Sequence, residues 1–530
     1  MPSRNCGVID LVVDLPNAPL VDLLNSWLVV WDVVKLDSAY CNKRTRPILL
    51  QALALSTITD IDVWISYDEQ RTWMIARKVK CSDLLFRVGW IPEKDILVSF
   101  LSCVGPAVTT IFFLKSEVEE EFMYDRGVFT LIAQYCPKLR NLSCRKHGFY
   151  FSSLVEVIAQ CHYLRDLNLC GSQHIPGNFL VSCFAAPCLE ALDLSKCTFL
   201  RDCGNVELVQ SQAMRSLYVT ETNLSEETVL RMCASSPQLT TLSAGPMICK
   251  QGPLPLVKIA QSCPCMQNCS ISGSDGTLID AAAATTIATV WTRIEQLTLE
   301  LKQGLFNDKN VSACTEEALL VLIQRCPQLR ILSVKESAVH ITKTPSESPT
   351  IASTNKSKMT DLQISSISAA SLRTILSVCT SLRRLHIVSD VPTQEQRVNG
   401  TIMAEDSLHL LHNTSVQALM LEGTKHLNDT KLGHIAGLKE LYLRDISGDF
   451  TAEHVFQLLQ RCPDLDTLVL VELAVNDNLN IRHIIEACPK VCRFAFSTAG
   501  GSKHNTASMA TLREVLQHFY PRLEQLALNF

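Results

Sequence analysis

The sequence predicts an α/β fold built as a solenoid, one row of stacked strand–helix units, and three observations carry that prediction. An aliphatic triplet of the form Leu-x-x-Leu-x-Leu returns fifteen times, most clearly at Leu164-Arg-Asp-Leu167-Asn-Leu169, Leu189-Glu-Ala-Leu192-Asp-Leu194 and Leu465-Asp-Thr-Leu468-Val-Leu470. Five successive copies open at Leu139, Leu164, Leu189, Met214 and Leu239, a constant step of 25 residues that scattered leucines would not keep. Between triplets the apolar residues switch to helical spacing, and a Cys-Pro pair often closes the run.

Each element follows from its pattern. Within a triplet the alternation after the second apolar residue is the two-residue period of a short strand, which sends the leucines to one side and the intervening residues to the other. The intervening segment reads as helix: Ala452, Val455, Phe456, Leu458 and Leu459 recur at helical spacing before Cys462-Pro463, where proline ends the run. Looser copies begin at Met266, Ile294, Leu329, Met359, Leu382, Val416, Leu438, Leu465, Val491 and Leu523, and a weak one, Val108-Thr-Thr-Ile111-Phe-Phe113, opens the array. A period in the twenties with this strand signature is that of leucine-rich repeats. One unit cannot shield its own leucines, each worth roughly 1.5–3 kcal/mol on full burial, so stacking must supply the second layer. The expected shape is a horseshoe, with parallel β-strands on the concave face and helices on the convex face.

Composition narrows the function classes. Apolar residues make up 47% of the 530 and charged residues 19%, which suits leucine-lined repeats with neutral polar faces. A net charge of −5 with acids and bases interspersed offers no basic stripe for a phosphate backbone, so nucleic acid is not an expected partner. The apolar stretch in Met1–Leu15 is broken by Asp10 and Asp14 and fails as a signal peptide, and Ala281–Trp291 is too short and threonine-rich to cross ~30 Å of hydrocarbon. The expectation is a cytoplasmic or nuclear protein with no membrane contact. Of 23 cysteines, Cys136, Cys161, Cys263, Cys326, Cys379, Cys462 and Cys488 recur three residues before a triplet, and Cys170 and Cys197 follow one. Buried free thiols behave as small hydrophobes. The cluster Cys263, Cys265 and Cys269 is therefore read as packing rather than as a metal site, which needs four converging ligands.

The amino terminus differs in character. Leu20, Leu23, Leu24, Trp27 and Leu28 form one apolar helical face after Leu15-Pro16; Val33, Leu36, Ala39 and Tyr40 form a second; Ile48, Leu49 and Leu53 follow Arg46-Pro47, where proline suits a helix start. Residues 1–55 are thus expected to be a small helical domain, 56–107 a linker or irregular first repeats holding Trp64, Trp73 and Trp90 in packing, and 108–530 the array, with a Ser/Thr/Pro/Lys-rich insertion at 335–358. In that insertion Thr344-Pro345 and Ser348-Pro349 are either phosphorylation sites or plain loop.

The text from Asp14-Leu15-Pro16 through Leu23-Leu24, Trp27-Leu28, Asp32-Val33, Leu36, Ala39 and Cys41-Asn42-Lys43 resembles an F-box, a helical module that precedes substrate-binding repeats. The array resembles the cysteine-containing leucine-rich repeats of F-box proteins. The resemblance implies the substrate-recognition subunit of a Skp-cullin-F-box ubiquitin ligase. A Skp-family adaptor, linking the chain to a cullin-RING ligase, would be held through Leu15, Pro16, Leu20, Leu23, Leu24, Trp27, Leu28 and Leu36. A protein substrate would lie on the concave repeat face. The alternatives are a helical unit that only caps the first leucine layer, an interaction scaffold with no ubiquitin-ligase role, and a repeat-type GTPase activator, which tends to have asparagine after the strands where this chain has Cys170 and Cys197.

The substrate surface can be read from the triplets. Early copies present small groups on the helix-free side, namely Asp166 and Asn168, Ala191 and Asp193, Ser216 and Tyr218, Thr241 and Ser243. Later copies present Arg384 and His386, then Met420 and Glu422, then Glu440, Tyr442 and Arg444, on strands ~5 Å apart. Arginine and tyrosine are enriched in binding hot spots, although charged residues also serve simply to solvate an exposed sheet. The sequence has no Walker phosphate loop, Gly-x-Ser-x-Gly elbow or His-Glu-x-x-His motif, and no enzyme activity, metal or cofactor is expected.

Overall fold

The computed structural model describes residues 17–26, 30–39, 46–58, 68–87, 93–114, 127–145, 153–173, 175, 177–202, 204, 207–248, 254–275, 279–301, 314–336, 357–365, 369–388, 411, 414–423, 435–446, 452–473, 487–498 and 525–529. The chain divides into two compact units, Met1–Gly245 and Pro246–Phe530.

The first unit opens with three helices, α1 (Asn17–Ser26), α2 (Val30–Ala39) and α3 (Arg46–Leu55). Leu20 and Leu24 lie one turn apart on α1 and are fully buried, as are Leu49 and Leu53 on α3, which packs against α1. Strand β1 (Thr57–Ile58), helix α4 (Asp68–Arg77) and strand β2 (Lys80–Cys81) follow, with β1 and β2 paired in parallel. A polar clasp ties α2 to α4. Asp37, only 3% exposed, accepts hydrogen bonds on Oδ2 from Trp73 Nε1 and Arg77 Nε, both at 2.9 Å, and its Oδ1 lies 3.5 Å from the Arg46 guanidinium. Burial alone would raise this carboxyl; the Arg77 and Trp73 donors and the two guanidinium charges overcome it and hold the acid below its ordinary value. Trp73 is thus a packing residue, as expected, while Trp64 and Trp90 lie outside the described residues.

From here the first unit is a run of strand–helix repeats: β3 (Asp83–Arg87), α5 (Lys94–Val104), β4 (Thr110–Leu114), α6 (Val128–Tyr135), β5 (Asn141–Cys144), α7 (Leu154–Gln160), β6 (Asp166–Asn168), α8 (Phe179–Ala185), β7 (Ala191–Asp193), β8 (Ser216–Thr220), α9 (Glu226–Ala234) and β9 (Thr241–Ile248). Strands β3 to β9 pair in parallel in chain order, so that Leu84, Ile111, Leu142, Leu167, Leu192, Leu217 and Leu242 stand side by side as one buried column. The array therefore begins before residue 108. Between the two expectations for 56–107, the segment from Asp83 forms a repeat, with Cys81, Leu84 and Phe86 as its triplet and Phe86 stacked on Phe113 at 4.9 Å.

Neighbouring repeats approach closely at Gly105, in the short 3-10 turn after α5. A Cβ there would stand 2.5 Å from the carbonyl oxygen of Tyr135 at the end of α6. Since the obstacle is backbone, Gly105→Ala is expected to cost about 1–3 kcal/mol through overpacking, read as a lowered denaturation midpoint with an unchanged m-value.

The second unit repeats the plan with α10 (Leu254–Ser262), β10 (Asn268–Asp275), α11 (Ala281–Val290), β11 (Gln296–Leu301), α12 (Glu316–Arg325), β12 (Ile331–Glu336), β13 (Asp361–Ser365), α13 (Ala369–Val378), β14 (Arg384–Val388), β15 (Ala418–Glu422), β16 (Glu440–Arg444), α14 (Ala452–Gln460), β17 (Thr467–Leu473), β18 (Arg493–Thr498) and β19 (Gln525–Asn529). Strands β10 to β19 are again parallel and consecutive. Helices α10 to α13 pack each on the next, and α11 and α12 are capped at their N-termini by Asp280 and Thr315, whose side chains accept from the third residue on. Of the insertion expected at 335–358, Lys335 and Glu336 complete β12 and Ser357 and Lys358 lead into β13, while residues 337–356, with both the Thr-Pro and Ser-Pro pairs, lie outside the described residues.

The recurring cysteine has one structural task. The Cys136, Cys161, Cys263, Cys326 and Cys379 amides close the last helical turn, and their carbonyls accept from the residue three places on, which starts the next triplet. Trp291 occupies the same place after α11, and its indole Nε1 donates to the Cys263 carbonyl of the preceding repeat at 2.9 Å. Burial raises the Cys161 and Cys379 thiols to about 11, the Cys326 thiol to about 12 and the Cys136 thiol higher still, leaving these four protonated and unreactive. Cys263 and Cys269 are buried at such packing positions.

Candidate functional site

Strand register makes the helix-free side of the second unit's sheet a grid. The row before the second buried residue runs Asp361, Arg384, Ala418, Glu440, Thr467, Arg493; the next runs Gln363, His386, Met420, Tyr442, Val469, Ala495; a third contains Val388, Glu422, Arg444 and Val471. All seven residues expected at the substrate surface occupy this side, with Arg384 and Arg444 exposed and His386, Met420, Glu422, Glu440 and Tyr442 half-buried between the leucine columns.

Glu422 is the centre of the cluster. Its Oε1 lies 3.3 Å from the Arg444 guanidinium and its Oε2 lies 3.5 Å from His386 Nε2. Tyr442 donates its hydroxyl to Glu440 Oε2 at 3.4 Å. Arg384 does not join Glu440, because Ala418 stands between them in the register; it pairs instead with Asp361 at 3.3 Å on the preceding strand. Asp361, Lys335 and Arg493 are charged neighbours of this cluster that the sequence reading does not include. The signal for Asp361 was present, since it holds the same triplet position as Arg384, one copy earlier.

His386 is held below its ordinary value, first by burial and then by Lys335, while Glu422 pulls the other way. A histidine lowered on folding binds a proton more readily in the unfolded chain. Stability is therefore intact above the unfolded value near 6.5 and declines as pH falls from there toward the lower folded value. Thermal denaturation between about pH 7.5 and 5.5 is expected to show a steeper fall for the native chain than for His386→Gln; parallel curves would remove His386 from the account.

Two neighbouring strands of the first unit's sheet, β6 and β7, use polar groups internally. Asn168 donates to Asp193 at 3.1 Å, and the two side chains accept from the amides of Cys170 and Ser195. Such local bonds fix the turns after β6 and β7 and leave less capacity for a partner there.

Among the residues expected at an adaptor surface, Leu20 and Leu24 are in the helical core, Leu23 and Leu36 are half-buried, and Leu15, Pro16, Trp27 and Leu28 lie outside the described residues. Among the described residues of α1 to α3, the exposed large apolar side chains are on α3: Ile48 is 38% and Leu55 61% exposed, on the helix face shared with exposed Gln51. Among the described residues no group of three or more His, Cys, Asp or Glu side chains is placed to hold a metal ion, and no helix is long and apolar enough to cross a membrane.

No protein-family model matches the sequence, and no curated protein matches it. Two solved leucine-rich-repeat proteins are similar in structure: an internalin from Listeria monocytogenes, 14% identical with 71% of this chain and 89% of that one covered, TM-score 0.37; and TLR13 in complex with ssRNA13, 13% identical with 85% and 70% covered, TM-score 0.37. Both are too distant to bear on function. The leucine-rich-repeat architecture stands on the strand register itself.

Proposed function

We propose that the chain is the substrate-recognition subunit of a Skp-cullin-F-box ubiquitin ligase, acting in the cytoplasm or nucleus. Helices α1 to α3 dock on a Skp-family adaptor, and the helix-free face of the second unit holds a target protein. The observation that carries the reading is the three-helix module ahead of the repeats, with Ile48 and Leu55 left exposed on one face of α3. Leu20 and Leu24 then act indirectly, fixing the helices that present this face, while Leu23 and Leu36 are the partly accessible members of the expected set. On the recognition side, Tyr442 and Arg444 beside the half-buried Glu422 supply the residue types that anchor protein interfaces. The contribution to ubiquitination is proximity: holding a target lysine near a charged conjugating enzyme raises its effective concentration, and other subunits perform the chemistry.

A second reading, a repeat scaffold whose helices serve only as a cap, is favoured by the Asp37 clasp, which binds α2 to α4. Affinity capture with mass spectrometry separates the two. Deleting residues 1–55 also removes the clasp, so the cleaner variant is Ile48→Asp with Leu55→Asp, both at exposed positions. The full chain is expected to recover adaptor and target, and the double variant target alone. Equal adaptor recovery by both leaves the cap.

A further inference from the structure

The second unit carries a basic row that is distinct from the face just described. On each strand the residue immediately before the first paired position is fixed by the backbone: the amide of Arg330 donates to the carbonyl of Glu295, Thr360 to Arg330, Arg383 to Thr360, Gln417 to Arg383 and Lys439 to Gln417, all at 2.7–2.9 Å. These residues form one line along the strand-start edge of the sheet. Its charged members are Arg330, Arg383 and Lys439, all exposed, with neutral Thr360 and Gln417 between them and an acid, Glu295 or Asp466, at either end. Exposed Lys358 adds a fourth cation beside the line, its Nζ donating to Gln328 Oε1 at 3.1 Å. The acids beside the line have other partners: Asp361 pairs with Arg384 and accepts from the Thr360 hydroxyl, Glu440 accepts from the Tyr442 hydroxyl, and Asp464, which also feels the Lys439 charge, pairs with Lys490. In a chain of net charge −5 this edge is a local excess of positive charge.

We propose that this edge takes an extended acidic segment of a partner protein. Strands of a sheet lie ~4.8 Å apart, so alternate strands place the Arg330, Arg383 and Lys439 backbones ~10 Å from one another. An extended segment in the polyproline II conformation advances ~3.1 Å per residue with about three residues per turn, so anionic side chains at every third position share one face and meet successive cations. Arginine suits this task because its planar fork binds carboxylate or phosphate through two parallel bonds. The sheet already fixes the backbone of the row, so the ordering cost on the protein is confined to its exposed cationic side chains. The acidic class of segment deepens the reading of the second unit as a protein-recognition unit and rests on it.

The test is fluorescence anisotropy on the full chain with three fluorescein-labelled peptides of equal length, bearing glutamate, phosphoserine or lysine at every third position. The glutamate and phosphoserine peptides are expected to bind and the lysine peptide not to; their ratio tells whether carboxylate or phosphate is preferred. Arg330→Gln with Arg383→Gln is expected to weaken acidic-peptide binding about tenfold, or about 1.4 kcal/mol, with the loss shrinking at high salt. Lys439→Gln gives an independent reading two strands from Arg383, with a loss of about threefold, near the worth of one exposed ion pair. No saturable binding of either acidic peptide, unchanged binding in the variants, or tighter variant-sensitive binding of a single-stranded RNA oligonucleotide overturns the proposal. Peptide binding without adaptor recovery sinks the ligase reading alone, and adaptor recovery without peptide binding sinks the edge alone.

Discussion

Leu441→Ala is expected to destabilise the second unit by about 2–5 kcal/mol, the range for a leucine truncated in a close-packed interior. Leu441 is fully buried on β16, between Leu419 and Leu468 in the same column. Each repeat supplies half of the covering layer for its neighbours, so the cavity weakens two interfaces at once and not one unit alone. Tyr442 and Glu440 flank the site on the helix-free side, and their positions depend on the same strand. Chemical denaturation measures the loss as a drop in the midpoint; a shift below about 0.5 kcal/mol would mean that the column is not continuous.

Asp37→Ala is the second large effect, expected at about 2–4 kcal/mol. Removing one member of a buried ion pair costs about 3–5 kcal/mol when the partner is stranded. Here Arg77 and Arg46 keep side-chain exposures of 29% and 33% and regain water, which lowers the figure, while the half-buried Trp73 indole loses its acceptor. Asp37→Asn keeps an acceptor for Trp73 and is expected to cost less. Because the folded carboxyl lies below its ordinary value, its stabilisation is complete above about pH 3.8 and is lost as pH falls through the folded value. Amide exchange across α2 and α4 reads the change directly; equal costs for the alanine and asparagine variants would contradict the clasp.

Much of the fold is legible in the sequence because one local rule repeats. The strands of all fifteen triplets, and of the weak copy at Val108, begin two residues after the first triplet residue, from Leu139 and Asn141 to Leu523 and Gln525. The copy at Cys81 escapes because it lacks both the leading leucine and the Cys-Pro signal, and Lys78 reverses the chain there in a left-handed conformation with φ 54°. The β1–β2 pair is too short for any period to register. The Asp37 clasp joins residues 36 and 40 positions apart, beyond the reach of a local pattern.

For the candidate site, the same alternation identifies which side chains share the helix-free face, and all seven are there. It does not say which of them pair. Glu422 reaches Arg444 on one neighbouring strand and His386 on the other, whereas Arg384 turns to Asp361 because the short Ala418 leaves it no partner across. At the amino terminus, helical spacing marks Leu20, Leu24, Leu49 and Leu53 as apolar but does not distinguish a face turned to the core from one offered to a partner. The outward apolar residues, Ile48 and Leu55, lie on the opposite side of α3 from buried Leu49 and Leu53.

The central claim, that the repeats hold a target while the amino-terminal helices hold an adaptor, meets its most direct test in a purified pair. Full chain and a Skp-family adaptor, mixed and passed over a sizing column, are expected to elute as a one-to-one complex, and the Ile48→Asp, Leu55→Asp chain is expected to elute alone. Separate elution of the unsubstituted chain and the adaptor would contradict the account.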